Sequence, residues 1–147
     1  MFETGKKFFT FSNLMLLVVA GMHTLGVFRE PTGTDEIRVM DIMNSYFFEA
    51  MGMKWSTHDV LVSLAFTMAI FLVFLAVLNG SLLSMISTRR VLERLGLLNA
   101  VLMWILSLLY LSYQIPPPFL SFVLLAILFT ITYVRIVRRQ DGALPDE

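Results

Sequence analysis

Three stretches of the chain, residues 8–28, 60–88 and 95–134, contain no Asp, Glu, Lys or Arg. A bilayer hydrocarbon core roughly 30 Å thick is crossed by about 20 helical residues. The first two stretches are therefore read as one span each, the second a long one. The third is about twice the required length, and it is broken at Tyr113-Gln114-Ile115-Pro116-Pro117-Pro118. There, successive prolines withdraw backbone donors and favour extended geometry. The sequence thus predicts four transmembrane helices, at about 8–28, 60–86, 95–114 and 118–138, the last two joined by a tight proline turn. The fold class is all-α: a single integral membrane domain built as a four-helix bundle.

Composition agrees. Hydrophobic residues make up 57% of the chain and charged residues 15%, with a mean hydropathy of +0.77, whereas soluble domains run near one half and one quarter. No Cys is present, which excludes disulfides, iron–sulfur centres, thiolate zinc sites and dithiol redox chemistry. Lys plus Arg and Asp plus Glu balance at 11 each, so there is no basic surplus for nucleic acid. Lys6-Lys7 ahead of residues 8–20 has the layout of a signal peptide. With no small-x-small cleavage site following and the apolar run continuing to Phe28, it is read as a retained span.

Where the basic residues fall sets the expected orientation. With the N-terminus inside, Lys6, Lys7, Arg89, Arg90, Arg94, Arg135, Arg138 and Arg139 are cytoplasmic, and only Arg29, Arg38 and Lys54 are outside. Both termini are expected in the cytoplasm. The one sizeable extramembrane segment, residues 29–58, is then external. Pro31-Thr32-Gly33 reads as a turn, and Thr34 as the cap of a helix with Asp35 and Glu36 in its first turn. Ile37, Met40, Asn44, Phe47 and Met51 follow at helical spacing. They predict an amphipathic helix over about 35–51, ended by Gly52 and lying along the interface or over the bundle mouth. Trp55 is placed as an interfacial anchor.

Polar residues within spans are costly and are the default place to look for function. His23 lies about one and a half turns before the first span emerges, roughly 7 Å below the boundary. Asp59, Ser63 and Thr67 recur at i, i+4, i+8 on the second span, Tyr110 and Gln114 share a face of the third, and Ser121 begins the fourth. Turned inward, these would line one outward-opening pocket, with His23 and Asp59 as a proton-transfer pair. His23, His58 and Asp59 also make up an incomplete two-His-one-carboxylate set, but no metal site is assigned because their spacing does not require one. Each has a purely structural alternative: His23 as a helix-locking polar contact, His58 as an interface residue, Asp59 as a helix cap.

A second polar layer, Asn13, Asn79 and Asn99, reads as interhelical glue, and Gly21 and Gly26 with Ala20 suggest a close helix approach. Asn99, Met103, Ser107, Tyr110 and Gln114 recur every three or four residues, marking the bundle-facing stripe of the third span. No charged residue lies at the membrane midplane, where ion-coupled transporters and proton pumps usually place one. No phosphate loop, dinucleotide fingerprint or nucleophile elbow occurs, and no cofactor is assigned.

The order His23-Thr24-x-Gly26, the Met-containing stretch 40–51, and Trp55-x-x-x-Asp59 followed by residues 63–66 resembles a family of small bacterial integral membrane proteins with four helices and no established activity. The resemblance covers roughly residues 10–85. It implies a bacterial inner (plasma) membrane and retention of the first span, and it lends no catalytic residue. The expected partners are the bilayer and a lipophilic small molecule or partner helix, held without turnover near His23, Asp59, Ser63, Thr67, Tyr110 and Gln114. The alternatives are a small membrane enzyme acting on a lipid, isoprenoid or quinone, with His23 as acid/base oriented by Asp59, and an accessory subunit of a membrane complex.

Overall fold

The computed structural model of the protein describes residues 2–86, 88–112 and 116–137. Helix α1 (Phe2–Val27) is followed by α2 (Thr34–Ser45), a hairpin of β1 (Phe47–Ala50) and β2 (Met53–Ser56), and helices α3 (Thr57–Met85), α4 (Arg89–Ser112) and α5 (Pro116–Val137). Four helical stretches are long and apolar enough to cross a membrane: Thr4–Val27, Thr57–Met85, Arg89–Ser112 and Pro118–Val137. The protein is thus mostly helical and membrane-embedded.

Several boundaries differ from the sequence reading. Helices α1 and α4 begin earlier, at Phe2 and Arg89 rather than near 8 and 95. Hydropathy marks the lipid-compatible part of a helix, while charged turns such as Arg89-Arg90 continue the same backbone hydrogen bonding beyond it. The prolines open α5 instead of standing outside it. At a helix start the missing N–H groups have no intrahelical acceptor to lose, and proline's φ is already helical. The expected turn residues 113–115, Gln114 among them, lie outside the described residues, as do Arg138 and Arg139.

The amphipathic helix ends at Ser45, not near 51. Its N-cap is Gly33 with no side-chain cap, and Thr34 is its first residue. Phe47 and Met51 belong to the hairpin, whose register pairs Phe47 with Ser56, Phe48 with Trp55, Glu49 with Lys54 and Ala50 with Met53. Met51 and Gly52 both have positive φ, 54° and 73°, as a two-residue type I′ connection demands. Gly52 therefore reverses the chain rather than capping a helix. Tyr46 O accepts from the backbone N–H of Thr57 at 3.0 Å, closing the open end of the hairpin.

The described chain divides into two compact units, one drawn from residues 1–17 and 74–147, the other being Val18–Val73. In the first, the start of α1, the end of α3, and α4 and α5 enclose a core of Phe9, Leu92, Met103, Phe122, Leu125 and Phe129. Phe9 and Phe129 meet edge to face with centroids 5.8 Å apart. Helices α4 and α5 approach closely where Gly96 lies against the backbone of Tyr133: an added Cβ would sit 3.7 Å from its Cα.

Polar contacts join four of the helix pairs in this unit. Ser12 and Thr132 share a 3.0 Å hydrogen bond between α1 and α5, and Asn13 Nδ2 donates to Ala76 O at 2.9 Å between α1 and α3. Asn79 and Asn99 exchange bonds of 2.9 and 3.1 Å between α3 and α4. In lipid such bonds contribute on average about 0.6 kcal/mol each. Their value in register is larger, because a sliding helix would strand a buried amide. Arg89 donates to the carbonyls of Ile136 and Val137, meeting the orphan acceptors at the end of α5.

The second unit comprises the end of α1, α2, the hairpin and the first half of α3. Its buried apolar residues include Val19, Ala20, Ala69 and Leu72, and Phe28 packs edge to face on Phe66 at 5.8 Å.

Candidate functional site

Asp59 is placed by the junction of β2 and α3. Ser56, the last strand residue, precedes the helix directly, and the pair forms a reciprocal cap. Asp59 N–H donates to Ser56 Oγ at 3.1 Å, while Ser56 N–H and Oγ–H donate to Asp59 Oδ2 at 3.1 and 2.7 Å. This is the Ser-x-x-acid capping box, which satisfies otherwise orphaned donors of the first turn and sets a negative charge at the positive helix end. Asp59 is thus engaged by Ser56 in capping α3, the structural alternative its place at the start of the span offered. The sequence signal was present in Ser56-Thr57-His58-Asp59, but reading the carboxylate from the span alone left its serine out.

Asp59, Ser63 and Thr67 do share one face, and that face is exposed. The buried side of α3 is instead Ala69, Leu72, Ala76 and Asn79. Periodicity places polar residues on a common stripe but does not say which way the stripe turns, and packing turned the small apolar residues inward. Thr67 Oγ1 donates to Ser63 O at 2.8 Å, so its hydroxyl is satisfied within the helix.

His23 is half-buried on α1, with Nε2 shielded from the surface. His23, His58 and Asp59 do not assemble as a metal-ligating trio; among the described residues no three His, Asp or Glu side chains do. Tyr110 belongs to the other unit, where it stacks on Phe122 with centroids 5.3 Å apart. The stripe that contains it buries Asn99, Met103 and Ser107. Asn13 bonds to the α3 backbone and not to the other two asparagines. Gly21 and Gly26 do not mark a close approach: both are exposed, with no atom within 4 Å of where a Cβ would stand.

No protein-family model, curated protein or solved structure matches this chain. Its chemistry is therefore read from its own groups.

The segment joining α1 to α2 carries, with the first turn of α2, an organised polar cluster that the sequence reading missed. Arg29 Nη2 donates to both Glu36 oxygens, at 2.9 and 3.2 Å, and Thr32 N–H donates to Oε2 at 3.0 Å. The Thr32 amide first, and the Arg29 charge second, hold the Glu36 carboxyl below the ordinary carboxylate range. An open groove of about 400 Å³ runs beside it, lined by Gly26, Pro31, Asp35 and Met40 among others. The spacing Arg29 to Glu36 across a Pro-Thr-Gly turn was its only signal.

Proposed function

We propose that the chain is a bacterial plasma-membrane protein, both ends in the cytoplasm, that works by binding rather than turnover and holds a partner transmembrane helix against the outward side of α3. The observation that carries this reading is the exposure of Asp59, Ser63 and Thr67 together on a helix long and apolar enough to cross a membrane. Exposed small and hydroxylated residues are what membrane helices use to meet one another. The exposed Gly21 and Gly26 add unfilled surface of the same kind on α1. The engagement of Asp59 with Ser56 weighs against the acid/base reading, since the group meant to orient His23 is occupied in capping α3. Orientation rests on eight of the eleven basic residues falling on the expected cytoplasmic side. The bacterial assignment rests on the resemblance around His23-Thr24-x-Gly26.

Photo-crosslinking in native membranes tests the reading. A benzophenone side chain at Ser63 or Thr67 is expected to give a protein adduct of one defined mass. The same group at Leu61, exposed but about 200° around the helix from Ser63, is expected to give lipid adducts alone. Lipid adducts at all three positions would overturn the proposal.

A further inference from the structure

The hairpin sorts its side chains into two unlike faces. Partners across an antiparallel pair point to the same side, and neighbours along a strand alternate. Phe48 and Trp55 therefore share one face with Met53, and Phe47, Glu49 and Lys54 share the other. Two contacts bear this out: Phe48 and Trp55 rings lie 6.5 Å apart on the first face, and Lys54 Nζ stands 4.7 Å from the Phe47 ring centre on the second. The first face is apolar and open, with Phe48 39% and Met53 53% exposed. The second carries one acid and one base directly opposed.

The position of the hairpin in the chain narrows what can cover that face. No residue separates β2 from α3. Helix α3 has 29 residues, about 43 Å at 1.5 Å per residue, which matches the 40–45 Å of a bilayer with its headgroups. Thr57 is thereby seated in the headgroup layer. Four-residue strands are about 13 Å long, while one headgroup layer is only about 5–8 Å deep. An upright hairpin would carry Met53, four residues from Thr57, into water, and one lying flat keeps Phe48 and Met53 together at the acyl boundary with Glu49 and Lys54 toward water.

We infer that the hairpin is a monotopic anchor: it lies in the headgroup layer with Phe48, Met53 and Trp55 facing the acyl chains, and its occupant is the bilayer surface itself. Trp and Tyr favour this depth because their rings are apolar with a polar edge, and Tyr46 stands at the base of β1. This surface is separate from the proposed helix-binding side of α3 and stands whether or not a partner docks there.

The chain contains no Cys, so single substitutions report directly. Phe48→Cys, Met53→Cys, Glu49→Cys and Lys54→Cys are each spin-labelled in phosphatidylethanolamine/phosphatidylglycerol liposomes, and accessibility to oxygen and to a neutral nickel chelate is measured. The expected result is a period-two alternation, with an oxygen-to-nickel ratio several-fold higher at 48 and 53 than at 49 and 54. Equal nickel access at all four sites, or exclusion of both reagents at 48 and 53 as under a protein partner, would overturn the inference. A second measurement leaves the hairpin intact: with Trp104→Phe, Trp55 emission is expected to be blue-shifted and quenched by headgroup-labelled nitroxide lipid. Emission at the position of solvated indole, without quenching, would equally overturn it.

Discussion

Arg29, Thr32 and Glu36 show how a residue's behaviour depends on donors that its own sequence neighbourhood does not name. The Glu36 carboxylate accepts from a backbone N–H and a guanidinium at once, and both favour its charged form. Because its titration midpoint is lowered on folding, the link contributes at pH values above the ordinary carboxylate range and is lost as the pH falls through the lowered midpoint. Solvent exposure of both side chains keeps that contribution small and weakened by salt. In a carboxyl-carbon NMR titration, the Glu36 midpoint is expected to fall below the ordinary carboxylate range. Arg29→Gln should raise the Glu36 midpoint only part of the way, because the Thr32 amide, the larger cause, remains. Restoration of the full ordinary value would reverse that order of causes.

At the scale of elements, the hairpin and the start of α3 form a continuous device. Met51 and Gly52 turn the chain in the left-handed region, β2 carries Trp55 to the start of α3, and Ser56 with Asp59 caps that helix. Residues 47–51 were read as helix because Phe47 and Met51 continue the helical spacing of Ile37, Met40 and Asn44. That spacing is shared by any two side chains four apart, and it outweighed the aromatic run Tyr46-Phe47-Phe48 and the glycine at 52, which are strand and turn signals. Ser56→Ala removes the cap acceptor and one of the two donors to Asp59, leaving the Ser56 backbone N–H. It is expected to destabilise the first turn of α3 by about 1 kcal/mol, read as faster amide exchange at residues 57–60 with the centre of α3 unchanged. Exchange at 57–60 equal to that of the unsubstituted chain would show the box to be idle.

For the whole molecule, zero net charge conceals a division. Arg29, Arg38 and Lys54 fall in the unit 18–73, and the other eight basic residues fall in the segments 1–17 and 74–147. The positive-inside rule turns that into an expected topology. In the cysteine-free background, Lys54→Cys should react with a membrane-impermeant maleimide on intact cells, and Lys7→Cys only after permeabilisation. Labelling of Lys7→Cys on intact cells would invert the orientation.

Membrane embedding, the number of spans and the side of α4 that is buried were legible in the sequence, because each follows from a local quantity: a charge-free length or a three-to-four-residue period. The stripe through Asn99, Met103 and Ser107 is an instance, buried as its spacing implies. Only the tertiary structure decided which way Asp59, Ser63 and Thr67 face and which partners the buried amides take, so that Asn79 went to Asn99 and Asn13 to the α3 backbone. The physical reason is that periodicity fixes only the relative angles of side chains around one helix. The absolute rotation of that helix is settled by packing against others, where volume and hydrogen-bond satisfaction outweigh the pattern of any single segment.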